Sequence, residues 1–278
     1  MHSDLDPQSS SRFEWESPGL VKFWLSVGRF VWLTGIFVSG ALDLTVKRPA
    51  THQQRAEWLH QFCARVVSAM GISMRVEGSF PEHGVVVSNH MGYLDIMVFA
   101  AQHRCVFVSK AELAKVPLLG WMTTMAGTVY VERGRGGSAI SAKSGLEAVA
   151  VAGLPIVIFP EGTTSNGSGV LPFRSGALAM VLEVGQSVTA ACVSYRFTED
   201  NGPNVTIGND LAFWGDDARL FHHIFALLAL RGIEVKIRIA DKPIAFSAGE
   251  LHRKQAAIEA RAAVMDLRGL LDTFTAAP

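Results

Sequence analysis

Cysteine is scarce in this chain of 278 residues. There are three, Cys63, Cys105 and Cys192, too few and too widely separated for a disulfide framework. No CxxC pair and no accompanying histidine spacing suggests structural zinc, so the thiols read as small buried hydrophobes in a reducing compartment. Net charge is lacking too, with 25 basic side chains facing 25 acidic ones. Such a chain has no global field to draw in a polyanion, and no block reads as a basic arm, so nucleic acid is not an expected partner. The polar, partly acidic start from Met1 to Ser17 lacks the basic opening of a cleaved signal peptide, and the mature protein is expected to begin there. Internal repeats and low-complexity segments are also missing.

Apolar residues are plentiful, at 49% against 18% charged, which excludes a disordered tail. Charges break up the apolar runs throughout, which excludes a polytopic membrane protein and suits one large domain or two small ones. Only Leu20 to Leu42 is long enough to cross a bilayer, and Lys22 and Arg29 interrupt it. Arg29 can snorkel to a headgroup layer, and Trp24 and Trp32 suit an interface, so the segment is expected to dip into one leaflet. Pro49 stops it. From Thr51 to Met70, Trp58, Leu59, Phe62, Val66, Val67 and Met70 recur at helical spacing, and Gly71 ends the helix.

The resulting division is a polar tail (1–19), a membrane-associating helical pair (20–77) and an α/β domain (78–278). Beyond Gly78, short β-branched runs alternate with helical stretches. Strands are expected at Val85–Ser88, Cys105–Ser109, Thr128–Val131, Ile156–Phe159, Val188–Tyr195 and Val235–Ile239. Helices are expected at Leu94–Ala101, Ser138–Ala152, Ser175–Val184, Asp217–Leu230 and Leu251–Phe274. The fold class is therefore α/β, with a mostly parallel sheet whose ligands gather at the carboxyl ends of the strands.

Polar clusters follow two of those strands. In Ser88-Asn89-His90-Met91-Gly92-Tyr93-Leu94-Asp95, a continuous helix would leave His90 and Asp95 roughly 140° apart. If the chain turns at Met91-Gly92 and a helix starts near Tyr93, Asp95 folds back onto the imidazole, fixes its tautomer and leaves the other nitrogen as a general base. In Phe159-Pro160-Glu161-Gly162-Thr163-Thr164-Ser165, Glu161 at a buried strand end needs donors, and Gly162 permits close approach to a ligand. No serine sits in a GxSxG elbow, and Ser88 has no reason to act as a nucleophile. His222 and His223, among Phe221, Ile224 and Phe225, read as packed or interfacial.

The His90-x4-Asp95 and Phe159-Pro160-Glu161-Gly162-Thr163 blocks, in this order, resemble those of the glycerolipid acyltransferase family that includes 1-acylglycerol-3-phosphate acyltransferases. Val129-Tyr130-Val131-Glu132-Arg133 is similar to the family's second block, whose arginine contacts acceptor phosphate. Lys110, with Val116-Pro117 and Gly120-Trp121, is similar to its lysine loop. The resemblance implies that His90 deprotonates a lysolipid hydroxyl, which attacks the thioester of acyl-CoA or acyl carrier protein, while Asp95 orients the ring. It also implies no cofactor and no metal, and substrate contacts from Lys110, Arg133, Glu161, Gly162, Thr163 and Arg174.

The expected reaction is acylation of 1-acylglycerol-3-phosphate to phosphatidic acid, at the cytoplasmic face of a bacterial inner membrane. Thr164 stands where lysophosphatidate users often carry arginine, and Arg174 is placed to return a cation. The Glu161-to-Gly167 and Leu171-to-Ser175 blocks also look like those of lyso-ornithine lipid acyltransferases, the leading alternative acceptor. An acyl thioesterase and a non-catalytic lipid-binding protein are the remaining rivals.

Overall fold

The structure, a computed structural model, describes residues 19–131, 136–213, 220–247 and 253–269. A seven-stranded sheet runs in the order β1-β7-β6-β2-β5-β3-β4. Its strands are β1 (Ser73–Glu77), β2 (Val85–Val87), β3 (Val106–Lys110), β4 (Val129–Val131), β5 (Ile156–Ile158), β6 (Val188–Phe197) and β7 (Ile233–Ile239). Every neighbouring pair is parallel except β6 with β7. At the centre, β2 is three valines and β5 is Ile-Val-Ile, all buried, as a parallel sheet covered on both faces requires.

Along β6 the two faces separate cleanly. Ala191, Val193 and Tyr195 join a core with α2 (His52–Ala69) and α3 (Tyr93–Gln102). Ala190 and Cys192 join the opposite core, with α5 (Gly136–Val151), α6 (Ser175–Glu183) and α8 (Arg253–Gly269). Two shorter helices are α4 (Leu119–Met125) and α7 (Leu220–Leu227).

Two sequence expectations need correction. The boundary at residues 77 and 78 follows β1, which pairs with β7 and is part of the sheet. β1 escaped the pattern because its burial is only partial and its outer positions are Ser73, Arg75 and Glu77. The second helix is likewise part of the α/β body. A Thr51–Gln54 capping box starts α2, and Trp58, Phe62, Val66 and Val67 are buried in one core with Val86, Phe99 and Ile237.

The other correction concerns α1 (Leu20–Lys47), which runs five residues beyond the expected end. Arg29 does not reach outward: its guanidinium donates to the carbonyl oxygens of Leu228, at 3.1 Å, and Leu230. Lys22 donates to the Asn201 carbonyl, and Ser26 Oγ donates to that of Phe225 at 3.1 Å. Further along, Phe37 meets Phe62 edge-on, and a Cβ at Gly40 would lie 2.8 Å from the Phe62 ring, so the α1–α2 crossing needs glycine. Leu44 is fully buried. Lys22, Ser26, Arg29, Gly40 and Leu44 thus face the protein, and Leu20, Val21, Trp24, Phe30, Val31, Trp32, Val38 and Leu42 are exposed. The helix is long and apolar enough to cross a membrane by length and composition alone.

Candidate active site

Beyond Val87 the β2 ladder is extended by a side chain. Ser88 N–H still donates to Ile158 O at 3.2 Å, and then the Asn89 amide takes over from the backbone. Its Nδ2 donates to Val193 O (3.0 Å) and its Oδ1 accepts from Val193 N–H (2.9 Å), stapling the chain to β6 just before it turns. Both Ser88 and Asn89 are completely buried, which leaves Ser88 no access to a substrate.

The chain then turns at Met91-Gly92, and α3 begins at Tyr93. Phe213 N–H donates to Met91 O at 2.9 Å, and a Cβ on Gly92 would stand 3.0 Å from that same nitrogen, so the turn tolerates little beyond glycine. Asp95, in the first turn of α3, caps its own helix. Its Oδ2 accepts from the amides of Met91 (2.6 Å) and Gly92 (3.0 Å), and the same oxygen holds His90 Nδ1 at 2.7 Å. Its Oδ1 accepts from the Tyr195 hydroxyl at 2.7 Å. Burial, first, and then the charge and hydrogen bond of Asp95 push the Tyr195 phenol far above its ordinary value, so it stays a donor.

Because Asp95 can only accept here, the proton lies on His90 Nδ1 and Nε2 has a free lone pair. Phe159, just beyond β5, stacks on the His90 ring at 4.1 Å and 10°, which fixes its plane. The sequence pattern assigns no role of their own to Tyr195, at the end of a strand, or to Phe159, at the head of its block. Tyr195 closes the expected β6 strand, but nothing local reveals a partner 100 residues away.

Next to the dyad, Tyr93 hydroxyl bonds His223 Nδ1 at 2.9 Å while His223 Nε2 meets Ala212 O at 3.0 Å. A carbonyl only accepts, so Nε2 carries the proton and Tyr93 donates to Nδ1. Burial holds this imidazole down to about 4, so it is a neutral packing element, while His222 is exposed.

The second block meets the first through main-chain contacts. Ser165 N–H and Oγ both donate to His90 O, at 2.9 and 3.3 Å. Glu161 is 2% exposed, and neither carboxylate oxygen has a hydrogen-bond partner of good geometry. Burial pushes its carboxyl up to about 8; the nearby amides of Leu171 and His90 oppose that rise, Asp95 adds to it, and Arg261 opposes it weakly. Gly162 N–H donates to Phe159 O at 3.1 Å, and Thr163 is exposed. Arg174, exposed at the start of α6, donates through Nε to Glu161 O at 3.1 Å. Lys110, also exposed, ends β3 opposite Val131 at the end of β4, on the same carboxyl edge of the sheet. Arg133 lies outside the described residues. Among the described residues, no group of three His, Cys, Asp or Glu could hold a metal ion.

Comparison with known proteins adds four findings. The acyltransferase family pattern matches residues 73–195, which contain both motif turns and begin at β1. A lyso-ornithine lipid O-acyltransferase of Pseudomonas aeruginosa is 36% identical over 166 residues, 59% of this chain and 60% of that protein. Another protein of that name, from Brucella abortus, is 32% identical over 207 residues, covering 70% of this chain and 76% of the other. A solved structure, the 1-acyl-sn-glycerophosphate (LPA) acyltransferase of Thermotoga maritima, shares the fold, with a TM-score of 0.59 at 17% identity over 89% of this chain and 97% of that one.

Proposed function

The chain belongs to the acyltransferase family, and from that premise we propose that it moves a fatty acyl group from a thioester to the free hydroxyl of a lysolipid. The observation that carries this reading is the His90–Asp95 contact of 2.7 Å, with Asp95 anchored by two amides and Tyr195. Such anchoring means that Nε2 is aimed before substrate arrives. His90 Nε2 takes the proton of the hydroxyl as its oxygen bonds to the thioester carbonyl carbon. The C–S bond then breaks, and the imidazolium returns the proton to the leaving thiolate. Asp95 stabilises the imidazolium between those steps. The reaction needs no nucleophile, cofactor or metal from the protein, and the donor is acyl-CoA or acyl carrier protein.

For the acceptor we favour lyso-ornithine lipid. The relatives of Pseudomonas and Brucella carry that name, and Thr164 and Arg174 stand in blocks of that type. Lysophosphatidate is the second reading, supported by the exposed Lys110 at the carboxyl edge. Since α1 is packed against the protein from Lys22 to Leu44, we place it flat in the interfacial layer with its apolar face in lipid, on the cytoplasmic side where the donor is found. A span would drag the α/β body into hydrocarbon.

The test is incubation of the membrane-bound protein with labelled acyl-CoA or acyl carrier protein and a panel of lysolipids. Acylated lipid whose formation requires acceptor is expected. Free fatty acid released at the same rate without acceptor would establish a thioesterase instead.

A further inference from the structure

The Met91-Gly92 turn, which gives two amides to Asp95, is itself held from outside. Across it lies the chain that follows the five-residue turn at Ile207–Leu211. Phe213 N–H donates to Met91 O at 2.9 Å, and the Tyr93 and Phe213 rings are 5.6 Å apart. Ala212, 3% exposed, is bound on both sides: its amide donates to Ile207 O at 2.8 Å, and its carbonyl accepts from His223 Nε2 at 3.0 Å. His223 Nδ1 in turn accepts from the Tyr93 hydroxyl at 2.9 Å. The bonds form a closed ring, running from Met91 through Phe213, Ala212, His223 and Tyr93 and back along the chain through Gly92.

A neutral imidazole suits this place, because it accepts at one nitrogen and donates at the other across a single rigid ring. His223 is buried, and burial keeps it neutral. The helix that carries it, α7, has eight residues and would be marginal by itself. It is fastened to α1 instead. Ser26 Oγ donates to Phe225 O at 3.1 Å, Arg29 donates to the carbonyls of Leu228 and Leu230 just past the helix end, and the Phe23 ring lies 6.0 Å from that of Phe225. His223 therefore acts from a fixed base.

We propose that Tyr93 and His223 are positioning residues for acyl transfer: together they clamp the Met91-Gly92 turn between α7 and the 212–213 segment, and so hold the two amides that keep Asp95 against His90. The proposal rests on the acyltransferase reading above. Their action runs through Asp95. If the turn drifts, the His90–Asp95 pair tilts with it, and a misplacement of about 1 Å can lower a rate by about 100-fold.

Two substitutions open the ring at different points. Tyr93→Phe removes one oxygen, and His223→Phe removes both hydrogen bonds of the imidazole. Each should lower kcat about tenfold or more, measured well below its own melting temperature, with the KM of donor and acceptor unmoved. Because both changes open the same ring, the double variant should be no slower than the slower single one. Hydrogen exchange at the Met91 and Gly92 amides should quicken in each variant relative to the amides of β2 and β5.

An unchanged kcat, a loss that sits in KM, or losses that multiply in the double variant overturns the proposal. So does wild-type exchange at Met91 and Gly92, or exchange that quickens equally throughout the sheet, which marks general loss of stability. Should His223→Phe fail to fold, Tyr93→Phe carries the same three readouts. If the wild type acylates no lysolipid, the functional reading fails by itself, and amide exchange still decides whether the clamp holds the turn.

Discussion

The segments that follow β2 and β5 each bury an acidic side chain close to His90, and they treat it in opposite ways. Asp95, wholly inaccessible, receives hydrogen bonds from His90, Met91, Gly92 and Tyr195. Glu161, 2% exposed, receives none of good geometry. The first arrangement holds the side chain and the imidazole beside it in one geometry, with no reorganisation left to pay when a substrate arrives. The second leaves a carboxyl whose burial raises it to about 8, so the β5 turn carries the group that changes state near neutral pH. Satisfaction marks the part that must stay constant, and dissatisfaction marks the part that can respond.

The difference breaks most completely at His90. His90→Ala should lose about 10²–10⁴-fold in kcat, and Asp95→Asn somewhat less, since the ring keeps its Nε2 but loses the acceptor that sets its tautomer. Both proteins should keep their circular dichroism. A His90→Ala protein that turns over at wild-type rate would remove the basis of the mechanism.

Glu161→Gln comes next and sharpens the other side of the comparison. From the ordinary 4.5 up to about 8, the folded chain holds a proton that the unfolded chain has released. Wild-type stability should therefore fall as pH rises through that window, by on the order of 3–5 kcal/mol once complete. The glutamine variant has no such proton. Its denaturation midpoint should vary less between pH 5 and 8, and it should be the more stable protein at pH 8. Parallel stability curves for the two proteins would show that the burial cost is met elsewhere.

The smallest effect is expected at Tyr195→Phe, which removes one of the four donors to Asp95 without altering volume much. A hydrogen bond to a charged acceptor is worth about 1.5–3 kcal/mol. The loss should appear as a lower kcat and a displaced pH–rate profile, beyond what the fall in melting temperature explains. If activity and stability fall strictly together, Tyr195 is a packing residue only.

Much of this arrangement is readable in the chain itself because its signals are local. The all-apolar triplets at Val85–Val87 and Ile156–Ile158 announce central parallel strands, and the spacing of His90, Gly92 and Asp95 encloses a turn and the first turn of a helix. What escaped is defined by partners far along the chain. β1 is a half-polar edge strand, recognisable only through its pairing with β7. Tyr195 and the Asn89 staple each close contacts across about a hundred residues, and Phe159 looks like any strand-end apolar residue until it is seen lying flat on His90. Arg29 misled for a related reason: charge in an apolar helix has the same composition whether it turns to headgroups or, as here, to the carbonyls of Leu228 and Leu230.

The lengthwise seating of α1 has a consequence for selectivity. A domain on a flexible tether samples its substrate at a concentration set by the linker, and at any height above the bilayer. Here the helix is fastened from Lys22 to Leu44, over about 33 Å, to the same body that carries His90. With the outer face of α1 in lipid, the elevation of the imidazole is a constant of the fold. An acceptor whose hydroxyl rests deeper than that level must be drawn out of the membrane, at about 0.8 kcal/mol for each methylene brought into water. On the proposed interfacial placement of α1, the protein would gauge immersion as well as chemistry, and two lysolipids with the same reactive group would be distinguished by how far down they carry it.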